Sequence, residues 1–325
     1  MEGKAGPIDE TDVAGTPVQA SLKIAQLDLA GSGLVEAAPV AGLFSFDGNG
    51  DSKGDVVEAT GRVKLEKLKL ARTGTPAHNP VELDFVVQHN LRKQSGQVRR
   101  GDIHIGKALA TLTGTYARQG ESTVLNMTLS GPDMPMTELA AMLPAMGIVL
   151  PLGSSLQSGT ATAKFTMEGP ADRLVTSGSL AFSNTKLAGF DMGKKMETVE
   201  RLAGIKATPD TEIQTLSANL RMAPDGMSAE NIKLVVPAIG EMGGGGTISP
   251  ANVLEFKMSV AVHTGGMMAM VSDKPIPFLV EGTCSQPVFR PDMKAVAQQE
   301  INKYKGEAGK AAGSLLKGLL GGKKN

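Results

Sequence analysis

Along residues 254–262 the side chains alternate without a slip. Leu254, Phe256, Met258, Val260 and Val262 fall on one parity, and Glu255, Lys257 and Ser259 on the other. Successive side chains of a strand point to opposite faces, so a period of two reads as a strand with one face buried and one in water. The same rhythm carries Val81, Leu83, Phe85 and Val87 against Glu82, Asp84 and Val86. It recurs in Leu125, Met127 and Leu129, in Phe165 and Met167, in Leu180 and Phe182, in Ile232, Leu234 and Val236, and in Ile276 and Phe278. Turn formers such as Asp47-Gly48-Asn49-Gly50 and Pro224-Asp225-Gly226 punctuate the gaps. The spacing predicts a mainly β chain folded as a long antiparallel meander.

One pattern breaks its own rhythm. Leu22-Lys23-Ile24-Ala25-Gln26-Leu27-Asp28-Leu29-Ala30 and Val63-Lys64-Leu65-Glu66-Lys67-Leu68-Lys69-Leu70-Ala71 share their apolar positions, and Gly178–Phe182 with Lys186–Ala188 is a looser echo. In the first two the apolar parity flips, between Ile24 and Leu27 and between Leu65 and Leu68. One extra residue in the strand, a β-bulge, produces such a flip, and repeated bulges curl a sheet. A coincidence of simple alternating patterns gives the same echo. Composition favours a thin or open sheet: there is no Trp, aromatics make up 3%, and Gly and Met reach 40 and 17. Without large rings a thick sandwich core is hard to fill.

Three stretches read as helical. Thr137 caps the first, near residues 137–146, with Leu139, Met142 and Leu143 on one side. Met192, Met196, Val199 and Leu202 give a second, near 192–203. Both are short amphipathic plugs suited to closing the end of a sheet. The third lies in the tail after Met293. Residues 1–20 read as a flexible leader, 21–130 as repetitive β structure, and 131–292 as a second β region carrying both plugs. Residues 293–325 read as an amphipathic tail, where from Lys294 seven Lys stand against two Glu, a net of +5. Leu315, Leu316, Leu319 and Leu320 among those lysines suit contact with an anionic membrane surface, as they suit a solvated end.

Catalytic patterns are missing. His78, His89, His104 and His263 have no zinc-helix spacing, and Cys284 is the one cysteine. His89 shares the parity of Val81–Val87 and reads as a half-buried packing residue. Gly243-Gly244-Gly245-Gly246-Thr247 lacks the Lys-Ser/Thr pair and helix of a phosphate loop, and reads as a flexible turn or bulge between strands. Glu82 and Asp84 lie on a solvated strand face. With 33 basic and 33 acidic residues there is no general field for nucleic acid. No cofactor motif is present, and the expectation is a binding protein rather than an enzyme.

From Gly131 onward the order of short segments resembles the C-terminal region of AsmA-like bacterial envelope proteins. The segments run Met134-Pro135-Met136-Thr137-Glu138-Leu139, Leu143-Pro144, Gly147-Ile148-Val149-Leu150-Pro151-Leu152-Gly153, then Gly169-Pro170-Ala171-Asp172-Arg173-Leu174-Val175. Asn184–Asp191, Leu202–Ile205, Asp210-Thr211, Val236–Gly240, Ile276–Phe278, Glu281–Thr283 and Pro287–Asp292 continue it to residue 292. The resemblance implies an elongated, curled antiparallel sheet forming an apolar-lined groove, with two or three short helices. It further implies phospholipid as the bound partner, carried between inner and outer membranes. The full-length protein would then be periplasmic and anchored to the inner membrane, by a segment that this polar start does not contain. The apolar parity named above would line the groove. A structural or adhesive β module with a closed core has the same strand grammar and stays open as an alternative.

Overall fold

The computed structural model describes residues 1–7, 11–12, 15–32, 40–71, 74–196, 199, 208–262, 275–299 and 301. Among these residues seventeen strands form one antiparallel sheet. The first eight are β1 (Glu2–Ala5), β2 (Val18–Asp28), β3 (Ala41–Lys53), β4 (Val56–Lys69), β5 (Val81–Asn90), β6 (Ser95–Ile105), β7 (Ala108–Gln119) and β8 (Ser122–Pro135). Next come β9 (Ser155–Gln157), β10 (Thr160–Pro170), β11 (Val175–Ala188), β12 (Thr211–Ala223) and β13 (Gly226–Val236). The last are β14 (Gly240–Ile248), β15 (Leu254–Val262), β16 (Ile276–Thr283) and β17 (Gln286–Pro291). Neighbours in sequence pair throughout, except that β8 passes to β10. β9 runs in line with β10: Gln157 faces Lys186 and Thr160 faces Ser183 on the same strand, β11. The sheet is not closed into a barrel.

Bulges sit where the parity flips predicted them. Ile24–Leu27 spans three residue steps against two from Phe46 to Phe44, with Gln26 at φ 51°. In β4 the extra residue is Lys67, at φ 53°. Asp133 in β8 and Asn231 in β13 repeat the device, again at positive φ, and β6 shifts register between Val98 and Asp102. All five strands run in the same direction, so the extra twist accumulates rather than cancels. Its effect is visible in one bond: Leu152 N–H donates to Ser285 O at 2.9 Å. These residues precede β9 and join β16 to β17, and strands ~4.8 Å apart would hold them tens of ångströms apart in a flat sheet.

The two margins of the sheet differ. One carries tight connections, among them 54–55, 91–94, 120–121, 224–225 and 284–285. The other carries the long ones, among them 70–80, 136–154 and 189–210. Two of these hold the short helices α1 (Met136–Ala140) and α2 (Met192–Lys195). After α1, Met142 and Ala145 pack on Leu68, Ala77 and Val81. Backbone bonds from Leu70 N–H to Ala145 O and from Thr75 N–H to Pro144 O fix them there. At α2, Met196 and Val199 pack among Ile213, Val236, Ile239, Met242, Val260 and Phe278. Thr211, almost fully buried, orients this helix by donating to Phe190 O and accepting from Met192 N–H. A third cluster, Ala108, Ala110, Met134, Ala163 and Phe165, lies between them.

Five expectations need correction. Residues 2–5, expected to fray, form an edge strand on β2, because backbone pairing needs no apolar pattern. The boundary at 130/131 falls inside β8, so no break in the sheet separates two regions. Thr137 does not cap α1; the helix starts one residue earlier, with Pro135 at its N-cap and no side-chain cap bond. That helix ends at Ala140 and continues to 147 only as turns. Finally, Gly243–Thr247 is not a turn but the middle of β14, paired to β15 throughout, and the β13 bulge at Asn231 lies opposite it, between the Ala229–Gly246 and Ile232–Gly244 pairs. Of the second plug, 197–198 and 200–203 lie outside the described residues. Of the tail, 293–299 and Ile301 are helical, and Leu315, Leu316, Leu319 and Leu320 lie outside the described residues.

Candidate functional site: an apolar face closed along one margin

Register joins the expected lining residues into one surface. Val81, Leu83, Phe85 and Val87 face Leu65, Val63, Gly61 and Ala59 on one side. On the other they face Ile105, Ile103, Gly101 and Val98. Leu125, Met127 and Leu129 continue through Met167 and Phe165 to Leu180 and Phe182. Leu216 then leads to Leu234, Met242 and Val260, and Val260 to Ile276. Ile232 and Val236 share the parity of Leu234, and Leu254, Phe256, Met258 and Val262 that of Val260. Phe278 faces Met258, completing the set.

Burial along this face is graded. Val81, Met127, Phe165, Val236, Leu254, Val260 and Phe278 are buried. Leu83, Phe85, Val87, Leu125, Leu129, Met167, Leu180, Phe182, Ile232, Leu234, Phe256, Met258, Val262 and Ile276 are half-buried. A core covered on both sides would bury them all. The plugs cover the face along the long-connection margin; towards the tight-turn margin most of its large side chains are half-buried, with Leu254 buried there and Leu152 reaching the Ser285 turn.

Sequence reasoning missed part of the lining. Leu22, Ile24, Phe44 and Phe46 extend the face into β2 and β3. Leu220, Met222 and Met227 fill it at β12 and β13. In β7 and β14 the face is built from Ala108, Ala110, Gly114, Gly244 and Gly246, and small residues give no periodic signal.

Polar members lie at both margins of the face. Ser52, His89, Tyr116, Thr123 and Thr176 sit toward the tight-turn margin, and Thr185 and Thr211, both buried, toward the long-connection margin. His89 stacks on Tyr116 with ring centroids 5.7 Å apart, and Nδ1 lies 3.0 Å from the Tyr116 hydroxyl. Burial pushes the Tyr116 phenol up from its ordinary value. Arg118 follows, exposed at the rim, its Nε donating to Gly120 O. Charged pairs occupy the opposite face: Lys23 with Asp47, Arg62 with Asp84, and Lys64 with Glu66. The Arg62 guanidinium holds the Asp84 carboxyl below the usual carboxylate range. A hollow on that face, bounded by Gln88, Gln97, Thr115 and Asn126, is walled mainly by neutral polar side chains.

Among the described residues no group of His, Cys, Asp and Glu is placed to hold a metal ion. His78 and His104 stand apart, and His263 lies outside the described residues. Cys284 is half-buried in the last hairpin turn, where burial pushes its thiol up, away from the reactive thiolate. No described helix is long and apolar enough to cross a membrane. No protein-family model, curated protein or solved structure matches the chain.

Proposed function

We propose that this chain binds phospholipid acyl chains along its apolar face and conducts them between inner and outer membranes, in upkeep of the outer membrane. The observation that carries the reading is the half-burial of a largely apolar surface that runs across the sheet, with the plugs packed along its long-connection margin. Acyl chains offer no directed polar groups, so their site needs apolar area and little else. Each methylene withdrawn from water contributes about 0.8 kcal/mol, so a modest length of lining retains a lipid. The half-buried His89, Tyr116 and Thr176, with Arg118 beyond them, suit a head group held at the tight-turn margin. The resemblance to AsmA-like proteins supports the same reading, and with it a periplasmic setting and an inner-membrane anchor in the full-length protein. No catalytic step belongs to it.

The buried clusters beneath and between the plugs favour a second reading, a non-catalytic structural or adhesive β module. Mass spectrometry of organic extracts from the purified chain, against a mock purification, separates the two. Near-stoichiometric phospholipid, lowered by Phe256→Asp or Met258→Asp, is the expected result. Extracts indistinguishable from the mock purification favour the structural module.

A further inference from the structure

We infer that residues 141–152, the segment that follows α1, form a docking surface for the apolar layer of a lipid bilayer. This goes beyond lipid held in the groove and stands on separate observations. Met146, Ile148 and Val149 are each more than 40% exposed and Leu152 is 78% exposed, although all four are apolar. Backbone bonds bring two further exposed apolar side chains to their sides. Leu70 N–H donates to Ala145 O, and Leu152 N–H donates to Ser285 O. The Ser285 turn in turn adjoins Val253, which bridges to Thr283. Leu70 and Val253 are about as exposed as Ile148.

Three features select a bilayer as the occupant. First, from Leu139 to Ala163 the sequence contains no charged residue, the nearest being Glu138 and Lys164. A charge carried into hydrocarbon is costly, and here none is carried. Second, the segment satisfies much of its own backbone, as a segment entering an apolar layer must. Met146 N–H donates to Met142 O and Leu143 O, Gly147 N–H to Pro144 O, and Ile148 N–H to Leu143 O. Ser154 closes the second turn, with both its N–H and its hydroxyl on Pro151 O, and Pro144 and Pro151 have no N–H to satisfy. Third, the segment is a fixed knuckle whose inward side chains, Met142 and Ala145, are buried against the sheet. Protein interfaces concentrate aromatic and Arg anchors, and this surface has neither.

The test is co-sedimentation of the full chain with vesicles of phosphatidylcholine alone and of phosphatidylcholine with phosphatidylglycerol. The inference expects binding to both, weakened at least about ten-fold in the Ile148→Asp/Leu152→Asp double variant, because two apolar anchors become charges. Both positions are exposed, so the thermal unfolding midpoint of the variant should match the parent. Its co-purifying lipid should also be unchanged, which separates this surface from the groove. Three outcomes overturn the inference: no binding of the parent to phosphatidylcholine, equal binding by the variant, or binding confined to anionic vesicles. The last would assign attachment to the Lys-rich tail.

Discussion

Phe256 lies across Gly246. The two face each other between β15 and β14, and a Cβ on Gly246 would stand 2.5 Å from Phe256 Cγ and equally close to its Cα. The relationship repeats along the apolar face. A Cβ on Gly178 would stand 2.8 Å from Phe165 Cδ1, one on Gly61 3.2 Å from Phe85 Cζ, and one on Gly244 2.8 Å from Met258 Sδ. Large side chains lie close over glycines, so the apolar face stays thin at these points.

Alanine at Gly246 therefore forces Phe256 or its backbone to move, and should destabilise the chain by about 1–3 kcal/mol. Gly243, on the opposite face of the same strand, is the control. A Cβ there meets only Ile232 O, at 3.3 Å. Gly243→Ala should stay within about 1 kcal/mol of the parent, since it also reduces the freedom of the unfolded chain. Urea unfolding of the two variants checks the contrast, and equal losses would remove the thin-lining argument.

The largest fully buried side chains pack in and beneath the plugs. Met142 is 5% exposed among Leu68, Val81 and Ala145, and Met196 is fully buried beside Val260 and Phe278. Met142→Ala and Met196→Ala should each cost about 2–5 kcal/mol, the range for a buried large-to-small change. Leu125→Ala, on the half-buried stretch, should cost roughly half as much. Denaturant midpoints decide this, and equal costs at all three sites would mean that the face is a uniform closed core.

Asp210 pins the connection that carries α2. Its carboxylate pairs with Lys186 Nζ at 2.6 Å and accepts from Gly189 N–H at 2.8 Å. The Lys186 bond first, then the Gly189 bond, hold that carboxyl below its ordinary value. A depressed folded-state value stabilises above the unfolded value of about 4, and the contribution is lost as pH falls through the folded value. Asp210→Asn should accordingly lower the thermal midpoint at pH 7. The gap should narrow below about pH 4. The pair is exposed, so the difference should be small and should shrink with added salt. A gap constant from pH 7 to pH 2 would contradict it.

Periodicity made most of the sheet legible. The alternation at 81–87 and 254–262 placed strands, and the flips at Ile24–Leu27 and Leu65–Leu68 placed bulges that the register contains. Where side chains vanish, so did the signal. Gly243–Gly246 has no parity of its own, and its place in a strand depends on Met258 and Phe256 opposite. Residues 2–5 are held by backbone pairing to β2, which no pattern of side chains announces. Alternation also could not tell a face looking into a groove from one looking into a closed core. That depends on what the 136–154 and 189–210 connections cover, a matter of tertiary packing.

The central claim is best tested face by face. A photo-crosslinking amino acid can be placed singly at Leu83, Leu125 and Met258 on the apolar face. Their sequence neighbours Asp84, Asn126 and Lys257 serve as the opposite parity. Irradiation in cells followed by mass spectrometry of the purified chain reads which positions acquire phospholipid. Adducts at the three apolar positions and none at their neighbours is the result this account predicts. Adducts on both parities, or on neither, would contradict it.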